Sequence, residues 1–257
     1  MSSRFANVEP ISDAGGKVQS VTAAKEAHRI RKIFGSRVDP GEGQFDLFRL
    51  YEYQDRQRAL IYFFRSIGLS SLRGLRILDI GCGSGGNLRR LTDFGAEPEN
   101  CFGIDLFGPG LVSARRKNPN ISFLEGSAAQ LPFPTAGFDM VFQFTVLTSV
   151  LDPKIRRDIA SEVYRTLRPG SYFVWYDFAY SNYKNPDVRG IGRREIRDLL
   201  RDFRIRLQRV TLAPPIGRTV AKLSLLGYRA LAAIPWLRTH YFCFAQKPET
   251  DDMRTLD

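Results

Sequence analysis

Histidine and cysteine are scarce in this chain: two histidines, His28 and His240, and three cysteines, Cys82, Cys101 and Cys243, in 257 residues. The cysteines are odd in number, widely spaced and form no C-x-x-C pair, which argues against a disulfide framework and a cysteine zinc site. Two histidines are too few for a histidine-rich metal centre, and no metal is expected. No run of about eighteen apolar residues exists to cross a membrane, and the first residues lack the apolar stretch of a secretory leader. A cytoplasmic protein is the expectation. Acid is also in deficit: 27 Asp and Glu against 38 Lys and Arg leave a formal net charge of +11. That surplus suits RNA or DNA, an anionic membrane surface or a phosphorylated substrate, and a solvated basic surface without a specific partner accounts for it as well.

Apolar residues are plentiful at 43%, and a chain of this length buries a full core, so one domain with appendages is expected. It is organised around Arg76 to Leu91, RILDIGCGSGGNLRRL. A short apolar run is followed by glycines at alternate positions, Gly81, Gly83 and Gly85, and then by a helical pattern. Glycine lets the backbone turn sharply and lets a ligand approach the main chain closely, while the start of the next helix offers unpaired N–H groups. Gly81, Gly83 and Gly86 also satisfy G-x-G-x-x-G, so the glycines alone do not distinguish a dinucleotide from another nucleoside. Asp79 does. A carboxylate aimed into the turn repels a pyrophosphate and attracts the ammonium of an amino acid.

The pattern D-x-G-x-G-x-G therefore resembles motif I of the class I S-adenosylmethionine-dependent methyltransferases. CFGIDL, Cys101 to Leu106, makes a second strand ending in Asp105, and the 26 residues from Asp79 to Asp105 accommodate a βαβ unit. An acid at that strand end accepts hydrogen bonds from both ribose hydroxyls, and the resemblance places the ribose-binding acid there, with Leu106 lining the adenine. A third strand, Ile121 to Glu125, precedes EGSAAQLPF, and Phe138-Asp139 opens a fourth. The resemblance, which runs from about Leu75 to Asp177, sets Ser127 and Ala128 beside the adenine and Gln143 toward the methyl. It makes Asp79, Gly81, Cys82, Gly83, Gly85, Asp105, Leu106, Ser127, Ala128 and Gln143 the cofactor-binding set. The implied fold is α/β, a Rossmann-like seven-stranded sheet, mostly parallel with an antiparallel last strand and helices on both faces. The implied cofactor is S-adenosylmethionine, leaving as S-adenosylhomocysteine.

Around this core the chain reads in order. Residues 1 to about 22 look like a flexible tail, and Ala23 to Phe34 like a short basic amphipathic helix with Ala27, Ile30 and Phe34 on one side. The domain proper is assigned to 46–257. Its aromatic-rich segment 46–70 supplies lid helices in the family, so Tyr51, Tyr53 and Arg56 are lid candidates, although packing onto the sheet explains most of the aromatics. Pro153 to Leu167 reads as a helix, Arg168-Pro169-Gly170 as a turn, and SYFVWYDFAY as a fifth strand ending near Asp177. Eight arginines lie between Arg189 and Arg209; NPDVRGIG offers Arg189 to an anion, while the helical arginines alternate with Glu195, Asp198 and Asp202 as on a solvated face. The last two strands are separated by a helical insertion, 213–238, both apolar and basic. It suits a segment lying on an anionic membrane, one covering a greasy substrate, or a buried lid.

Ligands collect at the carboxyl ends of the strands, which makes Asp177 the candidate general base, with Tyr176 and His240 as alternatives and Tyr180 on the rim. The histidine that many relatives carry after the fourth strand is replaced by Thr148 and Ser149. The Asn-Pro-Pro-Tyr and Pro-Cys motifs of nucleic-acid methyltransferases are absent, which counts against a nucleic-acid base as acceptor. Three functions are consistent with these letters. One is O-methylation of a small acceptor, phosphorylated, saccharide-type or lipid-linked, at the inner face of the membrane; the NPDVRGIG region is similar to methyltransferases of surface-polysaccharide pathways. The others are C-methylation of a quinone or polyketide, and an RNA methyltransferase or non-catalytic cofactor-binding module.

Overall fold

A computed structural model describes residues 21–35, 46–182 and 185–249; the expected tail over 1–20 lies outside them. Helix α1 (Val21–Gly35) comes first, then α2 (Leu47–Ser66), whose first turn is capped by Asp46 accepting from the Phe48 amide at 2.9 Å. Four parallel strands follow, β1 (Ile77–Ile80), β2 (Cys101–Asp105), β3 (Ser122–Glu125) and β4 (Phe138–Phe144). Between them lie α3 (Gly86–Leu91) and α4 (Gly108–Lys117). The second half comprises α5 (Pro153–Thr166), β5 (Leu167–Phe178), α6 (Arg193–Leu199), β6 (Arg204–Leu212), the pair α7 (Pro214–Leu223) and α8 (Leu225–Ala233), and β7 (Arg238–Gln246).

The sheet has seven strands in the order β3-β2-β1-β4-β5-β7-β6. β7 is antiparallel to both its neighbours and the other pairings are parallel, as the sequence leads one to expect. All four residues of β1 are buried, because a parallel strand with helices on both faces meets no solvent. Side chains alternate between two cores. Ile77, Phe142, Val174 and Tyr176 face α2, α3 and α4, whereas Leu78, Val141, Phe173 and Trp175 face α5 and α6. On the first face Phe63 of α2 stacks on Phe244 of β7 at 4.0 Å, so that aromatic packs the helix onto the sheet. The 213–238 insertion folds as α7 and α8 and packs on α2 through Phe48, Leu212, Ala221 and Tyr228.

The expected turn at Arg168-Pro169-Gly170 is a correction. These residues lie inside β5: Phe138 pairs with Leu167, but Met140 pairs with Tyr172, and Gly170 takes φ +77° within the irregularity. The loop residues therefore form a bulge in a continuing strand. The strand order reverses direction between β1 and β4, and the crevice at their carboxyl ends is where an open α/β sheet receives a ligand.

Candidate functional site

The chain leaves β1 through a loop closed over β2. The amides of Gly81 and Cys82 both donate to the Ile104 carbonyl, at 2.8 and 3.2 Å. Gly81 has φ +67°, and a Cβ there would overlap Val146 Cγ2; Gly85, at φ +75°, would bring one to 2.7 Å from the Phe123 ring. Neither position accepts a side chain without strain. The Gly83 amide donates to Asp105 Oδ2 at 2.8 Å and the Phe107 amide to Oδ1 at 2.9 Å. Burial raises the Asp105 pKa, and those N–H groups oppose the shift.

Asp79 is 2% exposed. It accepts from the Asn87 side-chain amide at 3.1 Å, and burial, with a smaller repulsion from Asp105, pushes its carboxyl up to about 7. A buried acid without a cationic partner is costly unless something positive arrives.

Two cavities meet here, sharing Gly81 and Phe144. The larger, about 330 Å³, is apolar, bounded by Ile30 of α1, Leu106, Ala128 and Val146, with Asp105 and Ser127 on its wall. The smaller, about 160 Å³, is polar: Asp79 and Asn87 face Arg56 and Arg90, with Tyr53 and Cys82 beside them. Arg90 stacks over the Tyr53 ring at 4.3 Å. Of the cofactor-binding set, Asp79, Gly81, Cys82, Gly83, Asp105, Leu106, Ser127 and Ala128 border one or both cavities; Gly85 and Gln143 do not. Cys82 is buried, which raises its thiol pKa and keeps it protonated.

One wall is not foreseen by the sequence reading, which puts the lid on 46–70. Helix α1 covers the larger cavity with Ala23, Ala27, Ile30 and Phe34. Polar ties hold it: the Arg29 guanidinium donates to the Ser149 carbonyl at 2.5 Å, Glu26 accepts from the Leu151 amide at 2.6 Å, Arg31 donates to the Leu106 carbonyl at 2.9 Å, and the same arginines pair more loosely with Asp187 at 3.9 Å and Glu125 at 3.7 Å. The apolar stripe of Ala27, Ile30 and Phe34 is its sequence signal. Thr145, at the end of β4, adopts φ +57° on the cavity wall and has no such signal; a β-branched residue there is strained.

The three candidate bases lie apart from both cavities. Tyr176 and Asp177 are consecutive on a strand and so point to opposite faces. Asp177 is buried among donors: the Thr148 amide and Gln143 Nε2 at 3.2 Å each, Trp175 Nε1 at 3.3 Å, and the Thr148 hydroxyl closest of all. Burial raises its pKa and those bonds counter the shift. Across the sheet, the Tyr176 hydroxyl donates to Glu52 at 3.2 Å and shares a 2.9 Å hydrogen bond with Thr211. His240 stacks on Tyr176 at 4.7 Å, and burial drives its imidazole down to about 3, so it is neutral. Arg56 lies over the rings of Tyr176 and Phe144, at 5.1 and 5.9 Å. Arg189 faces a carboxylate of its own chain, pairing with Glu195 at 2.6 Å alongside the buried Arg156 at 2.7 Å. Tyr180 is half exposed, with Arg209 over its ring at 5.1 Å. Among the described residues no group of three or more His, Cys, Asp or Glu is placed to hold a metal ion, and no helix is long and apolar enough to cross a membrane.

With this geometry in hand, comparison with known proteins gives consistent matches. Residues 77–170 match the family model described as a methyltransferase domain. A fatty-acid O-methyltransferase of Mycolicibacterium smegmatis is 34% identical over 148 residues, 56% of this chain and 51% of that protein. A phthiotriol/phenolphthiotriol dimycocerosates methyltransferase of Mycobacterium tuberculosis is 36% identical over 122 residues, 47% of this chain and 44% of that protein. The chain thus spans about half the length of these relatives. Among solved structures, a SAM-dependent methyltransferase of Thermotoga maritima, a possible histamine N-methyltransferase, superposes with a TM-score of 0.61 at 20% identity, covering 85% of this chain and 99% of that one.

Proposed function

We propose that this chain, which carries a class I methyltransferase core at residues 77–170, transfers the methyl group of S-adenosylmethionine to an oxygen of a lipid-like acceptor. The observation that carries the reading is the pairing of lobes. A buried acid, Asp79, hydrogen-bonded to Asn87 and to neither guanidinium, shares a polar lobe with Arg56 and Arg90, and an acid-rimmed apolar slot adjoins it across a glycine turn. An amino acid joined to a nucleoside has the matching chemistry. Asp79 takes the ammonium, Arg56 and Arg90 take the carboxylate, Asp105 the ribose hydroxyls, and Leu106, Ala128 and Ile30 enclose the adenine. When bound, the cofactor supplies a methyl group on a positively charged sulfur, open to in-line displacement. The chain's part is to hold donor and acceptor in line and keep water out, which contributes most of what such a reaction needs. Phe144, common to both lobes, walls their junction.

The acceptor reading follows from what surrounds Phe144. Tyr176 and Phe242 pack edge-on or tilted behind it in the core, and the larger cavity that it borders is lined by apolar residues, Ile80, Ile104 and Val146 among them. Such a lining suits hydrocarbon better than sugar, and the two relatives named above carry lipid-like acceptors in their names. Neither name concerns a saccharide, so the lipid arm is carried forward, and the reaction belongs at a membrane face. Because Asp177 is fully engaged by donors and His240 is stacked and, with its pKa pushed down to about 3 by burial, too weak a base, the acceptor best matched is one already ionised at neutral pH. A fatty carboxylate needs no base, whereas a hydroxyl does.

The test is incubation with methyl-labelled S-adenosylmethionine and a panel of long-chain fatty acids, long-chain alcohols and sugars. Label appearing in fatty-acid methyl esters supports the reading. Label appearing only in sugars, or in no acceptor although the cofactor binds, overturns it.

A further inference from the structure

Three side chains with every reason to be buried stand in water along one helix pair. Leu223 at the end of α7, Leu226 in the first turn of α8 and Trp236 in the turn before β7 are 79, 77 and 75% exposed. Among the described residues they have no core to join, because the inner faces of the same two helices are already anchored. Phe48 sits against Gly217, Tyr51 lies 4.9 Å from Tyr228, and the Tyr228 hydroxyl donates to Asp55 at 2.9 Å. The outer face is patterned as well. Arg218, Lys222 and Leu223 are all exposed and lie within about one turn of one another, and Arg229 follows Leu226 by three residues. Between residues 213 and 238 there is no Asp or Glu. Arg238 is consumed internally, donating to the carbonyls of Ala232, Ala233 and Arg209.

We propose that the α7–α8 hairpin docks on an anionic lipid bilayer, with Leu223, Leu226 and Trp236 below the headgroups and Arg218, Lys222 and Arg229 on the phosphates. Charge selects this occupant. A helix pair with exposed apolar residues at both ends of α8 and cations between and beside them complements a surface of the other sign with hydrocarbon beneath it, and tryptophan favours that boundary. A second copy of the chain would set Arg218, Lys222 and Arg229 against their own equivalents, and like charges across an interface repel. Docking here places the cleft usefully: the hairpin rests on α2, which also carries Tyr53 and Arg56 into the polar lobe. The inference deepens the lipid-acceptor reading by naming the surface that would meet the acceptor's membrane, and it stands or falls on its own measurement.

The protein contains its own probe. Of its two tryptophans, Trp175 is 1% exposed in the core and Trp236, just beyond the end of α8, is 75% exposed. Adding vesicles of phosphatidylcholine with about one third phosphatidylglycerol is expected to shift the emission to the blue and to expose it to quenching by brominated acyl chains. Trp236→Phe should lose that signal. Leu223→Asp with Leu226→Asp should weaken flotation with vesicles by about tenfold or more. Arg218→Glu, Lys222→Glu and Arg229→Glu together should abolish the preference over pure phosphatidylcholine. Calorimetry with S-adenosylmethionine on the same variants keeps the two readings separable. Unchanged cofactor binding with lost flotation supports the docking. Flotation that survives the double aspartate variant, no spectral shift with anionic vesicles, or a solution dimer that this variant dissolves would overturn it and leave the methyl-transfer reading standing.

Discussion

The side-chain amide of Asn87 donates to Oδ1 of Asp79 across 3.1 Å, at the floor of the polar lobe. A neutral donor supports a carboxylate less than a cation does, so burial dominates and the acid sits at about 7 rather than at its ordinary 3.8. Its folded pKa is therefore above its unfolded one. Between those values the folded chain keeps a proton that the unfolded chain has released, so the stability of the unliganded protein falls as pH rises through that window, by roughly 4 kcal/mol in all. Asp79→Asn keeps the acceptor oxygen for Asn87 and removes the titration. Chemical denaturation should find the variant more stable than the parent at about pH 8 and equal to it in acid, while its affinity for S-adenosylmethionine drops. In the parent, affinity should rise with pH through about 7, because an ionised Asp79 is what an ammonium binds.

Gly81→Ala tests the turn. The left-handed backbone costs an alanine about 1 kcal/mol, and displacing Val146 adds about 1–3 kcal/mol. A lower melting temperature and weakened cofactor binding are expected together. Adding Val146→Ala should recover the steric part of the loss and leave the backbone part.

Asp177→Asn separates a base from a brace. Five donors converge on this carboxylate, counting the Phe178 amide at 3.1 Å, and an asparagine would turn an N–H toward at least one of them. As a brace it should cost about 1–3 kcal/mol of stability and leave the pH dependence of the rate unmoved in the surviving folded protein. A fully stable variant whose rate collapses and whose pH profile loses a limb would make Asp177 the base.

Helix α1 is tied by few, directional contacts, so its removal should act on entry and exit. Glu26→Ala with Arg29→Ala deletes the contacts to Leu151 and Ser149. Stopped-flow measurements should show faster cofactor dissociation with little loss of global stability. An unchanged dissociation rate would mean that the wall over the larger cavity does not hold the ligand in.

The parts of the site legible from sequence are those made by one short stretch of chain. Asp79, the glycine turn and Asp105 lie in a single βαβ unit whose spacing fixes where each points. Tyr53 and Arg56 reach the cleft from a helix whose other aromatics, such as Phe63, serve the core. The base assignment is harder, because Asp177 looks catalytic at a strand end and its five donors come from three separate places in the sequence. That Tyr176 and Asp177 face opposite layers was readable from the two-residue period of a strand. The lid role of α1 was only half legible: its apolar stripe was, but its shortest ties go to main-chain groups of Ser149, Leu151 and Leu106, which leave no trace in residue identity. The bulge at Arg168-Pro169-Gly170 escaped for a similar reason: the same letters make a turn or a bulge according to what β4 offers as a partner.

The central claim is that the double-lobed cleft is a site for S-adenosylmethionine, and calorimetric titration tests it most directly. The purified chain should bind S-adenosylmethionine and S-adenosylhomocysteine and not NAD. Asp105→Ala, which removes the acid on the wall of the larger lobe, should weaken both by about tenfold or more, the loss of one to two charge-assisted hydrogen bonds. Binding of NAD in their place, or an affinity indifferent to both Asp105→Ala and Asp79→Ala, would contradict the account.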